Sequence, residues 1–157
     1  MFKESPEILY DTMEKTPFTW VDTEEKLDEL ASLLCSVKEI AVDLEHHDLR
    51  SFQGFTCLIQ ISTRKEDFII DSLTLRHRLH VLNESFADPN IVKVFHGADS
   101  DIMWLQKDFG VYVVNLFDTC HACNVLELEK QGLAFLLDKY CNVHTDKRFQ
   151  RADWRMR

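Results

Sequence analysis

Ile40-Ala41-Val42-Asp43-Leu44-Glu45-His46-His47 reads as a buried strand with two carboxylates set into it. It opens apolar and β-branched, the composition of a core strand. Side chains alternate along a strand, so Asp43 and Glu45 share one face. Ionised carboxylates are rarely buried without partners, because removing them from water costs several kcal/mol or more. Two like charges on one face therefore call for strong positive compensation. Hard divalent cations such as Mg²⁺ or Mn²⁺ supply it through oxygen ligands. A plainer reading is also open, with Glu45 at an exposed strand end and Asp43 paired with an Arg or capping a loop.

The surrounding 157 residues suit one domain with a single core. With 45% hydrophobic and 29% charged residues, and only 4 Gly and 3 Pro, the chain is neither disordered nor low in complexity. No apolar run approaches the roughly 18 residues of a membrane span, and the opening residues lack the basic-then-apolar pattern expected of a signal peptide. Five cysteines, Cys35, Cys57, Cys120, Cys123 and Cys141, sit mostly in apolar runs, which fits reduced, buried thiols. Net charge is -9, which argues against nucleic acid until its distribution is considered. Residues 139–157 hold six Lys/Arg against two Asp, a net of +4, so the remainder carries -13. A basic tail beside an acidic body fits a phosphate-binding surface beside a metal cleft, or a solvated charge run.

Along the chain, residues 1–16 read as an extension and Phe18–Val21 as a short β-like run. Asp22 or Thr23 offers an N-cap, and Leu27, Leu30, Ala31, Leu33 and Leu34 predict a helix over 23–36. Strands follow at 39–46, 56–62 and 68–71, joined by short links that predict an antiparallel meander. A helix over 75–86 stops before Pro89. A strand at 91–96, a helix from Asp101, and a strand at 111–117 predict a parallel crossover. Two helices, 119–129 and 132–140, complete a mixed five-stranded α/β sheet, three strands antiparallel and then two parallel, flanked by helices.

Asp101 opens the helix after the fourth strand. If that strand lies beside the first, Asp101 comes near Asp43 and Glu45. Asp99 is the expected N-cap, leaving Asp101 free, although a second capping role for Asp101 is also open. Asp118 reads as a helix cap.

Ala41-Val42-Asp43-Leu44-Glu45-His46-His47, Leu58-Ile59-Gln60-Ile61-Ser62, Val94 to Gln106, Phe117-Asp118-Thr119 and Ala152-Asp153-Trp154-Arg155 occur in this order. Together they resemble the exonuclease domain of RNase D-type 3′→5′ exonucleases, closest to the eukaryotic nuclear exosome-associated exoribonucleases, over residues 17–157. The resemblance implies a ribonuclease H-like fold. It also implies hydrolysis of single-stranded RNA from its 3′ end by a two-metal mechanism using two Mg²⁺ or Mn²⁺ ions. Asp43 and Glu45 match the first motif and Asp101 the second, as catalytic and metal-binding residues. Exosome partnership in nuclear RNA processing and degradation, and a nucleolar or nucleoplasmic location, are implied in the same way.

The family's third motif, Tyr-x-x-x-Asp, does not occur after Trp154, so the C-terminal part of the domain is expected to be missing. The expectation is either a piece of a longer enzyme or a catalytically incomplete module that binds RNA or a protein. His46, His47, Lys147 and Arg151 are candidate RNA contacts, with Arg148 and Arg155 beside them. His96 is expected to be a hydrogen-bonded strand-end histidine, Trp104 a core residue, and Cys120-His121-Ala122-Cys123 a helix face rather than a zinc site.

Overall fold

The computed structural model describes residues 15–145 and 152–157. They form β1 (Phe18–Val21), α1 (Glu24–Leu34), β2 (Glu39–His47), β3 (Phe55–Ser62), β4 (Asp67–Asp71), α2 (Asn83–Phe86), β5 (Val92–Phe95), α3 (Asp99–Phe109), β6 (Leu116–Asp118), α4 (Thr119–Val125) and α5 (Leu133–Cys141). The sheet runs β1-β4-β3-β2-β5-β6. β2, β3 and β4 form the antiparallel meander, and β5 and β6 extend it in parallel.

Alternation along β2 divides the molecule into two sides. Ile40, Val42 and Leu44 are buried, whereas Ala41 and Asp43 are exposed. The buried side meets Ile59, Ile61, Phe68 and Ile70 of the neighbouring strands and Leu27, Leu30 and Leu34 of α1 in one core. Each such side chain contributes about 1.5–3 kcal/mol when fully buried. α1 begins where Thr23 accepts a hydrogen bond from the Lys26 amide at 3.4 Å, with Glu24 and Glu25 favourably placed in the first turn. Across the other face, a cleft of about 370 Å³ opens between the sheet and the starts of α4 and α5. Among the described residues, no helix is long and apolar enough to cross a membrane.

Several expectations need correction. The sheet has six strands rather than five, because Phe18–Val21 pairs in parallel with β4, far away in sequence. The predicted 75–86 helix is instead a turn, a 3-10 helix at Leu79–Leu82 and the single turn of α2. Its apolar spacing is still satisfied, since Leu75, Leu79, Leu82 and Phe86 are all buried. The predicted 111–117 strand is reduced to β6, and the predicted 119–129 helix ends at Val125. Cys57 and Cys123 are buried, but Cys35 and Cys141 are exposed. Lys93 lies on β5, within the expected 91–96 strand. Its ammonium is wholly buried and donates to the carbonyls of Ser85, Asp88 and Ile91 at 3.3, 2.7 and 2.6 Å.

Candidate active site

Because Asp43 and Glu45 are two residues apart on β2, both lie on the cleft side of the sheet. Asp43 sits opposite Gln60 on β3 and Glu45 opposite Leu58. The Gln60 amide donates to Glu45 Oε1 at 3.2 Å. Asp101 reaches the same neighbourhood from the first turn of α3, because β5 pairs in parallel with β2 through Ala41 and Val94. Asp101 is buried.

All three carboxylates have raised pKa values, with burial the leading cause in each. Burial, then the charges of Asp43 and Asp101, push Glu45 up to about 7 against the opposing Gln60 bond. Burial and the Asp43 charge push Asp101 up to about 6, although N–H groups of Asp101 and Leu44 oppose the shift. Asp43 is open to the cleft, yet the protein around it screens it from enough water to raise its pKa, opposed by the Leu44 N–H and His96. Among the described residues, no Lys or Arg forms a salt bridge with any of the three. Hard oxygen donors with unneutralised charge are the donor chemistry of Mg²⁺ and Mn²⁺. Among the described residues, however, no group of three His, Cys, Asp or Glu forms a ready-made metal cage.

The neighbouring carboxylates differ. Asp118 accepts from the Gly97 and Ala98 amides at 2.9 and 2.8 Å and caps α4 through Cys120 and His121 at 2.8 and 3.4 Å. These four donors hold it down at about 2 despite burial. Asp118 is thus the expected helix cap, and it also closes the β5–α3 turn, a role the sequence does not reveal. The expected N-cap role of Asp99 fails: Ala98 occupies that position with no side-chain bond, and Asp99 lies in the first turn. Asp118 already accepts from the N–H groups at this turn.

His96 is hydrogen bonded as expected. Thr119 Oγ1 donates to the Phe95 carbonyl at 3.0 Å, so the 2.9 Å contact assigns the proton to His96 Nδ1. His46 stacks on Trp104 with ring centroids 4.1 Å apart and planes 6° apart. Gly54, at φ +60°, backs this stack, and a Cβ there would lie 2.0 Å from His46 Cε1. Burial and Lys107 lower the His46 pKa. Trp104 therefore packs against the core as expected and also carries the His46 ring. His47 tilts against Phe55, with Nδ1 3.9 Å from the Asp153 carboxylate.

A register break separates Glu45 from His46, since Glu45 faces Leu58 and His46 faces Thr56, which leaves Cys57 unpaired in the ladder. The Cys57 carbonyl instead accepts from Arg157 Nη2 at 3.0 Å. The same guanidinium forks onto Asp71, donates to the Trp154 carbonyl at 2.7 Å and lies 5.8 Å from the Trp20 ring centre. Arg157 appears in the sequence only as one more tail cation, and nothing local marks its partner 86 residues away. Arg155 pairs with Asp153. Lys147, Arg148 and Arg151 lie outside the described residues. Cys120 and Cys123 lie three residues apart on α4, half-buried and buried, and so share a helix face as expected, with His121 exposed.

A family model described as 3′-5′ exonuclease matches residues 18–157. Exosome complex component 10 of Homo sapiens is 58% identical over 149 residues, covering 95% of this chain and 17% of that protein. Exosome complex exonuclease RRP6 of Saccharomyces cerevisiae is 56% identical over 138 residues, covering 88% of this chain and 19% of that protein. The chain thus spans under a fifth of these relatives. The crystal structure of the catalytic core of RRP6 from Trypanosoma brucei superposes with a TM-score of 0.92 at 53% identity, covering 94% of this chain and 41% of that one. The mixed sheet with flanking helices is the fold of that core.

Proposed function

This chain belongs to the 3′-5′ exonuclease family, and on that premise we propose that residues 17–157 form a domain that hydrolyses RNA from its 3′ end with two divalent ions. The observation that carries this reading is the convergence of Asp43, Glu45 and Asp101, with raised pKa values and no ion-pairing cation among the described residues. Structural carboxylates in this same protein are lowered by their partners, so an unneutralised trio is a functional candidate.

Asp43, Glu45 and Asp101 would hold Mg²⁺ or Mn²⁺. When bound, such ions activate water and stabilise a departing oxygen. Asp43 lines the cleft, and its charge acts on both Glu45 and Asp101. Gln60 orients Glu45 by its 3.2 Å bond. Asp101 is fixed by α3 and by backbone N–H groups. His46, His47 and the basic residues Lys147 and Arg151 are proposed RNA contacts. The relatives' printed names support work with the exosome, and a nuclear location follows from that partnership as part of the proposal.

A second reading, a module that binds RNA or a protein partner without turnover, is favoured by the lack of a ready-made three-ligand cage among the described residues. Calorimetric Mn²⁺ titration of the wild type and Asp43→Asn, paired with trimming of a 5′-labelled RNA, separates the two. Binding and trimming that both vanish in the variant support the nuclease. RNA binding without metal binding or trimming supports the module.

A further inference from the structure

The loop 48–54 leaves β2 directly after the candidate carboxylates, and its two ends are fixed differently from its tip. At its base, Gly54 packs on His46 of the Trp104 stack. Lys107 Nζ caps the Gln53 and Gly54 carbonyls at 2.8 and 3.3 Å, and the Gly54 amide closes a turn on Ser51 at 3.2 Å. Just beyond, Asp108 holds the Thr56 amide and hydroxyl at 2.8 and 2.9 Å. The tip is unlike the base: Leu49 is 86% exposed and Phe52 106% exposed, with exposed Arg50 between them. Phe52 lies two residues from Gly54, so their Cα atoms are at most about 7.6 Å apart. A fully exposed aromatic residue is therefore carried on the loop whose base packs on His46, the residue after Glu45.

We propose that Phe52 is a stacking platform for an unpaired base of the RNA strand whose 3′ end enters the carboxylate cleft, with Arg50 facing its phosphates. This rests on the exonuclease reading and adds a contact to it. Two apolar side chains on a seven-residue loop are far too small for a protein interface, which buries about 800 Å² on each partner. One aromatic face matches one base, and such stacking tolerates any sequence because every base has a π-face. Asp48 at the loop's start is the opposing charge, which places the phosphate contact toward Arg50. Holding the base of the loop in place limits the ordering cost of binding.

The test uses a 5′-fluorescein oligouridylate 12-mer and its oligoadenylate counterpart. Affinity is read by anisotropy in EDTA, and trimming in Mg²⁺ or Mn²⁺. Phe52→Ala and Phe52→Leu should each weaken binding of both oligomers about fivefold to tenfold, the low end for one base–aromatic stack. Phe52→Trp should restore affinity and show RNA-dependent fluorescence quenching beyond that of wild type. KM should rise in Phe52→Ala with kcat unchanged, the signature of a contact made equally in ground and transition states. Melting temperature should not move, because the ring touches solvent. Wild type that binds and trims, with Phe52→Ala within twofold of it, overturns the platform alone. Equal affinity of Phe52→Leu and wild type also overturns it, by replacing stacking with simple apolar contact. Wild type that neither binds nor trims overturns both the platform and the nuclease reading.

Discussion

Where β5 hands over to α3, Asp118 receives backbone N–H groups from two turns and its pKa falls to about 2, whereas one strand away Glu45 receives a single amide bond and its pKa rises to about 7. Both regions draw carboxylates out of water. In the first, hydrogen bonds outweigh the desolvation; in the second, desolvation and like charge prevail. Asp71 and Asp108 belong with Asp118. Asp71 is held by the Arg157 fork, and Asp108 by Thr56 and Arg76. Asp43 and Asp101 belong with Glu45. Carboxylates of the first kind hold the fold together, while those of the second strain it and are candidates for work on a ligand.

Removing one carboxylate from each region should give opposite results. Asp43→Asn should lower trimming by on the order of a thousandfold, the scale of losing a transition-state charge interaction, while leaving thermal stability unchanged or raised. Initial rates and a melt on the same sample check both halves, and a large drop in melting temperature would move Asp43 into the structural region. Asp118→Ala should cost about 2–4 kcal/mol in urea unfolding, since it strands several N–H groups, including that of buried Ala98.

Acid should distinguish the regions next. Arg157 holds Asp71 at about 2, below the usual 3.9 or so of a free aspartate. A lowered pKa gives stability that is present above the unfolded value and lost as pH falls through the folded one. Wild type should therefore lose about 1–2 kcal/mol more than Asp71→Asn between pH 4 and pH 2. Parallel unfolding curves for the two proteins over that range would remove the ion pair from the account.

Metal should give the smallest effect. Mn²⁺ at tenfold excess over its dissociation constant should stabilise wild type by about 1.4 kcal/mol, and Asp43→Asn by less, read as the shift in unfolding midpoint. An equal shift in both proteins would place the ion away from the carboxylate trio.

The acidic pair was legible because strand alternation is local: Asp43 and Glu45 share a face by their spacing alone. Asp101 was half legible. Its helix start could be read, but its proximity required β5 to lie against β2. The role of Asp118 in closing the β5–α3 turn was not legible, because it reaches back twenty residues to Gly97 and Ala98. Nor was the sixth strand, since four residues of β-like sequence do not reveal the strand they will join. The 75–86 segment misled because buried apolar spacing persists there without a regular helix. Asp71 accepts from the Leu73 and Thr74 amides and favours a turn instead.

Alternation, helical spacing and ordered motif blocks thus determined most element types, the α/β class, the family resemblance and the two β2 carboxylates, because each is written within a few neighbouring residues. Tertiary structure alone decided which carboxylates are neutralised, where the β2–β3 register breaks, and that Arg157 donates to the carbonyl left over at Cys57. Those outcomes depend on groups tens of residues apart meeting in space, and on how much water their meeting excludes.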